Sequence, residues 1–281
     1  MRIIYISGYG RSGSTILEMS LSQHFYAFGC GELCNLFQSL IHNEHCECGE
    51  PIEICSFWSS VLQDLTDGIK DDREEWHKIT RKGERLCRGK EDLAVWSHLW
   101  RNVLRSISKK SGCDTIIDSS KTTRLNANRI KNLKNLGEQV DEIHLIRHPA
   151  DVMRSVKKGS NQLIEAGRKN PVRFGGGIRA GISWYLTNYR VMNYNQQVHS
   201  YLLPYERFTS EFEDCLTYLE NALSLQRRRE PWHVGHGISG NRVRRSGEKL
   251  KVKNNFTSST KLNFVERTMA KWLSNVYENM I

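Results

Sequence analysis

The residues from Gly8 to Thr15 have the types and the spacing with which proteins bind a phosphate group. The segment reads Gly-Tyr-Gly-Arg-Ser-Gly-Ser-Thr, follows a short apolar run and precedes a helical pattern. Glycines let the backbone curl so that successive N–H groups converge on an anion, and the start of a helix adds its dipole. Ser14 stands where a nucleoside-triphosphate enzyme has the lysine that reaches the β- and γ-phosphates. The segment therefore predicts a loop for one phosphate group, with positive charge from Arg11, and a glycine-rich turn without a ligand is the alternative.

Five short apolar runs would position this loop and the polar residues around it. Each run is rich in β-branched or aromatic residues and is bounded by glycine, proline or polar residues, which is typical of buried strands. The predicted strands are Ile3–Ile6, Phe25–Gly29, Thr115–Asp118, Glu142–Arg147 and Tyr201–Tyr205. Helical patterns lie between them, among them a predicted long helix over Glu74–Ser108 that Trp76, Trp96 and Trp100 would anchor.

Short strands that alternate with helices predict an α/β fold class. We expect a P-loop-like three-layer fold with a central parallel sheet and helices on both faces. Ligands of such sheets bind beyond the carboxyl ends of the strands. The loops after Ile6, Asp118, Ile146 and Tyr205 are therefore the expected place of the chemistry.

Two motifs resemble the cofactor-binding elements of sulfotransferases that use 3′-phosphoadenylyl sulfate (PAPS). Arg11–Thr15, Arg-Ser-Gly-Ser-Thr, looks like the 5′-phosphosulfate loop, which in that family comes just after the first strand. Arg147 with Ser155 resembles the 3′-phosphate site, although the family usually has Asp or Asn where this chain has His148. A bidentate arginine with a hydroxyl on the next helix suits a phosphate monoester. The resemblance implies PAPS as co-substrate, bound by Arg11, Ser12, Gly13, Ser14, Thr15, Arg147 and Ser155.

Two later segments extend the resemblance along the chain. Leu203–Phe208 is similar to the family's Tyr-Glu strand end, whose tyrosine contacts the adenine in some members, and Tyr205 is the matching residue. The segment Gly237–Arg244 looks like the late loop that closes over the nucleotide. It implies cofactor contacts from Gly240, Asn241 and Arg242. The four motifs follow one another in the order that the family shows.

The same resemblance implies which residues transfer a sulfuryl group. That reaction needs a cation near the bridging oxygen, donors to the sulfuryl oxygens and a base for the acceptor's proton. Arg11 has the family position of the cation, and Lys121 would add a second cation, with Ser119 as its alternative. Glu32, in Gly-Cys-Gly-Glu, resembles the proposed base of tyrosylprotein-type members. Cytosolic-type members use a histidine, for which the candidates are His24, His144 and His148.

The predicted reaction is in-line transfer from PAPS to a hydroxyl or amine. Because a sulfuryl group carries less charge than a triphosphate, no metal ion is expected to be required. The acceptor would be a small molecule, a carbohydrate or a peptide. Two other functions remain open: a P-loop kinase of a small molecule, which needs ATP and Mg²⁺, and a non-catalytic polyanion or nucleic-acid binder. Structural roles also remain open, with Lys121 as an exposed strand-end lysine and Glu32 as an acid at a helix start.

A group of cysteines and histidines lies between His42 and Cys55. Cys46 and Cys48 are one residue apart, whereas paired zinc ligands are usually separated by two to four residues. The pattern Cys-x-Cys-Gly followed by Cys-x-Phe-Trp resembles a segment of bacterial-type sulfotransferases. We interpret it as a structural knuckle over the acceptor pocket, with a zinc site and a disulfide as alternatives.

Most of the net charge of +10 lies in one stretch of the chain. Residues 227–253 contain nine Lys and Arg residues and two acidic residues. A surface for nucleic acid would interleave aromatic residues for stacking, and only Trp232 and Phe256 are near. We therefore expect this stretch to bind PAPS and to recruit an anionic acceptor, with part of it a solvated basic loop. Nucleic acid is not an expected partner.

The remaining composition excludes several classes of protein. The 281 residues, 38% of them hydrophobic, are enough for a core and argue against intrinsic disorder. The sequence has no transmembrane run and no secretory signal pattern. Eight cysteines suit a reduced compartment, so a cytoplasmic location is expected. We interpret residues 1–281 as one sulfotransferase domain with a helical, cysteine-containing insertion at about 33–112.

Overall fold

The fold was analysed in a computed structural model, which describes most of the chain. The described residues are 1–66, 72–85, 89–121, 127–159, 175–195, 199–230, 235–239, 244 and 260–281. Their strands are β1 Arg2–Ser7, β2 Phe28–Gly29, β3 Thr115–Asp118, β4 Gln139–Ile146 and β5 Ser200–Pro204. The first helices are α1 Ser14–His24, α2 Leu36–Ile41, α3 Ser56–Thr66, α4 Arg73–Glu84, α5 Lys90–Ser111 and α6 Arg129–Lys134. The later helices are α7 Pro149–Lys158, α8 Gly176–Asn195, α9 Tyr205–Ser210, α10 Phe212–Ala222 and α11 Phe264–Glu278.

The five strands form one parallel sheet in the order β2-β3-β1-β4-β5. Strand β1 is central, with Ile3 paired to Ile116 of β3 and to Val140 of β4. Because all strands run in one direction, the loops after them meet at one edge of the sheet. The predicted α/β fold with a central parallel sheet is confirmed.

Helices cover both faces of the sheet, because successive apolar side chains of β1 point to opposite faces and both sets must be buried. Ile3 and Tyr5 pack into a cluster with α2–α5, while Ile4 and Ile6 pack into a second cluster with α1 and α10. All four side chains are fully buried. Each contributes roughly 1.5–3 kcal/mol through loss of apolar surface from water. The sheet is thereby a rigid support for the loops at its edge.

Several predicted element boundaries were wrong, among them the start of β2, which is Phe28 and not Phe25, and the start of β4, which is Gln139 and not Glu142. The predicted helix over Glu74–Ser108 is two helices, α4 and α5, and α5 begins after Gly89, whose N–H donates to Asp92 Oδ2 at 3.1 Å. The tryptophans at helical spacing continue across the break because both helices face one core: Trp96 packs on Gly83, where a Cβ would overlap the indole. The predicted last strand ends one residue early, and Tyr205 begins α9.

The segment between β2 and β3 holds helices α2–α5 and the cysteine group. It therefore has the helical character expected for residues 33–112. The division of the chain into one domain with an insertion stays a prediction. Among the described residues, no helix combines the length and the apolarity needed to cross a membrane.

Candidate active site

The predicted site residues lie at the carboxyl edge of the sheet, each just beyond a strand. The loop from Gly8 follows β1, and Glu32 comes three residues after β2. Lys121 comes three residues after β3, Arg147 directly after β4 and Tyr205 directly after β5. The strand order places the loops after β3 and β4 on either side of the loop after β1. This is the edge at which ligands of parallel sheets bind.

The loop between β1 and α1 has the backbone of an anion-binding turn. Gly8 and Gly13 have φ of +112° and +97°, and Arg11 has φ of +72°. A Cβ on Gly8 would overlap the carbonyl oxygen of Leu145, and one on Gly13 would overlap the ring of Tyr205. Gly13 is the N-cap of α1, and within the described residues no side chain caps this helix. Its first N–H groups are therefore not used by a capping side chain.

Two buried hydroxyls in this loop fit an anionic ligand. Ser12 and Ser14 are 2% and 4% exposed, and their Oγ atoms have no hydrogen-bond partner among the residues that the structure describes. A buried hydroxyl without a partner costs free energy, on the order of 1–3 kcal/mol. A phosphate or sulfuryl oxygen would accept from both. The residues present therefore fit the phosphosulfate group that the resemblance implies.

Arg147 and Tyr205 form a second group beside the loop. The Arg147 guanidinium lies over the Tyr205 ring, 4.5 Å from its centroid, and Nη1 donates to the Arg11 carbonyl at 3.2 Å. The Tyr205 ring also lies against Gly13. Burial raises the pKa of the Tyr205 hydroxyl, and the Arg147 charge opposes this shift. These residues, predicted as separate cofactor contacts, are brought together in the structure.

Arg11, Glu32 and Lys121 form one charged cluster. Lys121 Nζ donates to Glu32 Oε1, and Asn35 Nδ2 donates to Glu32 Oε2 at 3.1 Å. The Arg11 guanidinium donates to the Gly159 carbonyl at 2.7 Å. Burial lowers the pKa of Arg11, and the charge of Glu32 opposes that shift. The structure thus pairs Lys121 directly with Glu32, and Arg11 interacts with Glu32 electrostatically.

A buried network holds the backbone of Glu32 in place. Glu18 of α1 is fully buried and accepts from the Gly31 N–H at 2.8 Å and from Ser119 Oγ at 2.6 Å. Arg244 makes ion pairs with Glu18 and, at 2.7 Å, with Glu47. Burial raises the pKa of Glu18, and Arg244 opposes that shift. Ser119, the alternative to Lys121, is therefore engaged with Glu18 rather than with the charged cluster.

In the described part of the basic stretch, which was expected to bind PAPS and an anionic acceptor, three arginines make contacts within the protein. Arg227 pairs with Glu220 at 2.9 Å, and Arg228 donates to the Phe25 carbonyl at 2.8 Å. Arg244 is 4% exposed and neutralises two carboxylates. Three of the nine positive charges are thus used in internal contacts, and those of Arg244 are with acids far away in the sequence.

The other predicted residues fall into three groups. Thr15 and Ser155 lie in the first turn of α1 and the second turn of α7, respectively, which start at the site edge. Gly240, Asn241 and Arg242 lie outside the described residues. The candidate histidines have other contacts: His24 Nδ1 lies 2.8 Å from the Ser20 carbonyl, His144 Nε2 lies 2.9 Å from Asn188, and His148 Nε2 lies 3.1 Å from Ser274. Burial lowers the pKa of His144 to about 4.

Comparison with solved structures shows which known domains share this architecture. No protein-family model and no curated protein matches the sequence. The sulfotransferase domain of the Synechococcus PCC 7002 olefin synthase aligns with a TM-score of 0.52 at 16% identity, over 99% of this chain and 94% of that domain. The sulfotransferase domain from the curacin biosynthetic pathway aligns with a TM-score of 0.50 at 18% identity, over 97% of this chain and 96% of that domain. The chain shares the sulfotransferase fold.

Sequence reasoning missed Glu18, Arg244 and Asn35 as parts of the site. Glu18 stands in Ile-Leu-Glu-Met, a charged residue in an otherwise apolar helix segment, and such a residue is buried only with partners. That pattern predicts a buried ion pair but not its partner, because Arg244 is 226 residues away. Asn35 lies one helical turn after Glu32, a spacing at which a side chain can return a hydrogen bond.

Proposed function

We propose that this chain transfers a sulfuryl group from PAPS to a hydroxyl or amine, with Glu32 as base. The observation that carries the proposal is the charged cluster of Arg11, Glu32 and Lys121 beside a glycine-rich anion loop. One carboxylate and two cations at the start of an anion-binding helix match the needs of sulfuryl transfer. The shared fold of two sulfotransferase domains supports the proposal.

The loop and the Arg147 group would bind PAPS, which supplies the sulfuryl group when bound. The backbone of residues 11–15 and the hydroxyls of Ser12 and Ser14 would bind the phosphosulfate end. Arg147 and Ser155 would bind the 3′-phosphate, and the Tyr205 ring would contact the base. Gly240, Asn241 and Arg242 remain predicted contacts. Charge-assisted hydrogen bonds from an arginine to a phosphate contribute roughly 1.5–3 kcal/mol each.

Glu32 is suited to accept the acceptor's proton because its carboxylate has a fixed orientation. Lys121 and Asn35 each hold one of its oxygens. A carboxylate has about four lone-pair positions, so both oxygens keep capacity for a further hydrogen bond. The side chain is 17% exposed, which leaves it accessible from the site edge.

Arg11 and Lys121 would stabilise negative charge that develops on the leaving oxygen. Cations that are already fixed need no reorganisation when charge moves, and this is usually a large part of catalysis. Arg11 is fixed through Gly159, and Lys121 through Glu32. Once Glu32 is protonated it no longer neutralises Lys121, so the ammonium charge would act more strongly on the leaving oxygen.

The test is the release of adenosine 3′,5′-bisphosphate from PAPS in the presence of a panel of alcohols, phenols and amines. With the best acceptor, Glu32→Gln should lower kcat by about 10²–10⁴-fold, the usual contribution of a positioned base. Its affinity for the bisphosphate should stay unchanged. Glu91→Gln, an exposed acid on α5, is the matched control and should keep full turnover.

Three outcomes would contradict the proposal. Turnover retained in Glu32→Gln would remove Glu32 from the role of base. Absence of turnover with the whole panel, together with no binding of the bisphosphate, would reject PAPS as co-substrate. Phosphoryl transfer that requires ATP and Mg²⁺ would indicate a kinase instead.

A further inference from the structure

Four potential metal ligands converge outside the proposed catalytic site. The Sγ atoms of Cys46, Cys48 and Cys55 and a ring nitrogen of His236 all lie within 4.8 Å of one another. The cysteines come from the segment before α3, and His236 from the described segment 235–239, about 180 residues further along. His42 and His45, the histidines of the sequence motif, are on the surface and are not part of this group.

Three distances within the group are close to the edges of a tetrahedral metal site. Cys48 Sγ lies 3.6 Å from Cys55 Sγ, and His236 Nδ1 lies 3.3 Å from Cys55 Sγ and 3.7 Å from Cys46 Sγ. Tetrahedral zinc with Zn–S of about 2.3 Å and Zn–N of about 2.05 Å requires S···S edges of about 3.8 Å and S···N edges of about 3.6 Å. A disulfide would need its sulfurs about 2.05 Å apart, and all three cysteines are free thiols in the structure.

The backbone around the cysteines is folded to present their sulfurs. The Gly49 N–H donates to the Cys46 carbonyl at 3.0 Å, and the Cys46 N–H donates to the Glu50 carbonyl at 2.8 Å, which closes a tight turn. The Ile52 N–H donates to the Glu44 carbonyl and the Cys55 N–H donates to the Pro51 carbonyl, both at 2.9 Å. These turns bring Cys55 back to Cys46 and Cys48, so that one short segment supplies three sulfur ligands, which bind a metal as thiolates.

His236 is held with its Nδ1 on this group. The Phe57 ring stacks on the imidazole, with centroids 5.2 Å apart and planes 16° apart. Trp58 Nε1 donates to the His236 carbonyl at 2.6 Å. Gly235 and Gly237 flank the histidine, and a Cβ on either would overlap Glu47 or Arg244. Such outer contacts fix the orientation of a ligand before the metal binds.

We propose that Cys46, Cys48, Cys55 and His236 bind a structural zinc ion. Thiolate and imidazole ligands in tetrahedral geometry select zinc among the divalent ions. Four protein ligands leave no open position for a substrate, so the ion would stabilise the fold and take no part in the transfer. The one-residue separation of Cys46 and Cys48 is compatible with this because His236 supplies the fourth ligand from a distant segment.

The ion would tie the segment of His236 to the edge that carries Glu32. The Ile238 N–H donates to the Cys30 carbonyl at 2.9 Å, and the Glu32 N–H donates to the Ile238 carbonyl at 3.0 Å. Glu47, between the two cysteines, accepts from the Gly237 N–H at 3.1 Å and pairs with Arg244. The zinc proposal rests on the four converging ligands and not on the reaction proposed above.

The test is the zinc content of the purified full-length chain after removal of any affinity tag. Wild-type protein from zinc-supplemented medium, kept reduced, should contain about one zinc per chain. Cys48→Ala/His236→Ala should contain less than about 0.2 zinc per chain, since half of the ligands are missing. Cys48 is exposed, so its replacement removes little packing. Cys215→Ala, a buried cysteine on α10, is the control and should keep its zinc.

A second measurement uses wild-type protein only, so that a misfolded variant does not decide the result. Chelation by 1,10-phenanthroline should lower the thermal midpoint and speed the alkylation of the exposed Cys48 by N-ethylmaleimide at least tenfold. Cobalt reconstitution should give thiolate-to-metal charge-transfer bands. Less than about 0.1 zinc per chain after reconstitution, equal zinc in the double variant, or a Cys48–Cys55 disulfide in reduced protein would overturn the proposal. None of these results decides the proposed sulfuryl transfer, which is tested separately by the binding of adenosine 3′,5′-bisphosphate.

Discussion

At the scale of single residues, the candidate site depends on close approaches that only certain side chains allow. Gly13 lies against the Tyr205 ring, and Tyr205 in turn supports the Arg147 guanidinium. The loop of residues 8–15 and the Arg147–Tyr205 pair are thereby one packed unit. The roles of Arg11 and Glu32 were predicted from motifs, and the structure adds that both charges belong to one cluster with Lys121.

Gly13→Ala should weaken both the fold and the anion site. The new Cβ would meet the Tyr205 ring, and the φ of +97° is unfavourable for alanine. We expect a loss of roughly 1–3 kcal/mol in the free energy of unfolding and weaker binding of adenosine 3′,5′-bisphosphate, measured by denaturation and calorimetry. Gly10→Ala is the control, because nothing lies within 4 Å of a Cβ there. Equal behaviour of the two variants would argue against the packed unit.

At the scale of elements, the strands could be predicted and their long-range partners could not. Buried runs such as Ile3–Ile6 identify strands because parallel strands are apolar on both faces. The break between α4 and α5 was missed because tryptophans on both helices face one core. The internal use of Arg244 was missed because Glu18 and Glu47 are each about two hundred residues away. Local patterns carry no information about such pairs.

Arg244→Met tests the network that joins α1, the cysteine segment and the backbone of Glu32. Removing Arg244 leaves Glu18, which is fully buried, without its cation. Breaking one side of a buried ion pair costs roughly 3–5 kcal/mol, and we expect a loss of this size in urea denaturation. Arg105→Met, an exposed arginine on α5, should change stability by less than about 0.5 kcal/mol. A loss below about 1 kcal/mol for Arg244→Met would show that the network is not a support.

At the scale of the whole molecule, the five parallel strands end at one edge of the sheet, and ionisable side chains are buried within the fold. Glu142 of β4 is 1% exposed, and burial raises its pKa to about 7, against the opposing effects of Ser7 and Lys134. Such a carboxyl binds a proton in the folded state over a range in which the unfolded chain has lost it. Folding is therefore linked to pH.

Stability should fall as pH rises through this range because of Glu142. The pKa of Glu142 is 4.5 in the unfolded chain and about 7 in the folded protein. The contribution of Glu142 to stability is therefore fully present below the unfolded pKa and is lost as pH rises past the folded pKa. Between about pH 5 and pH 8 the loss is roughly 2.5 kcal/mol. Glu142→Gln should reduce the pH dependence of the unfolding free energy by this amount. An unchanged pH dependence in Glu142→Gln would show that a group other than Glu142 causes it.

The central claim is that the sheet edge binds PAPS, and binding of adenosine 3′,5′-bisphosphate tests it most directly. At one hundred times its dissociation constant, the ligand should raise the unfolding free energy by about 2.7 kcal/mol. Adenosine 5′-monophosphate, which lacks the 3′-phosphate, and ATP with Mg²⁺ should stabilise less. Arg147→Ala should weaken the affinity for the bisphosphate about 10–100-fold, while the exposed control Arg105→Ala should keep it. No stabilisation by the bisphosphate, or an equal effect in Arg147→Ala, would contradict the account.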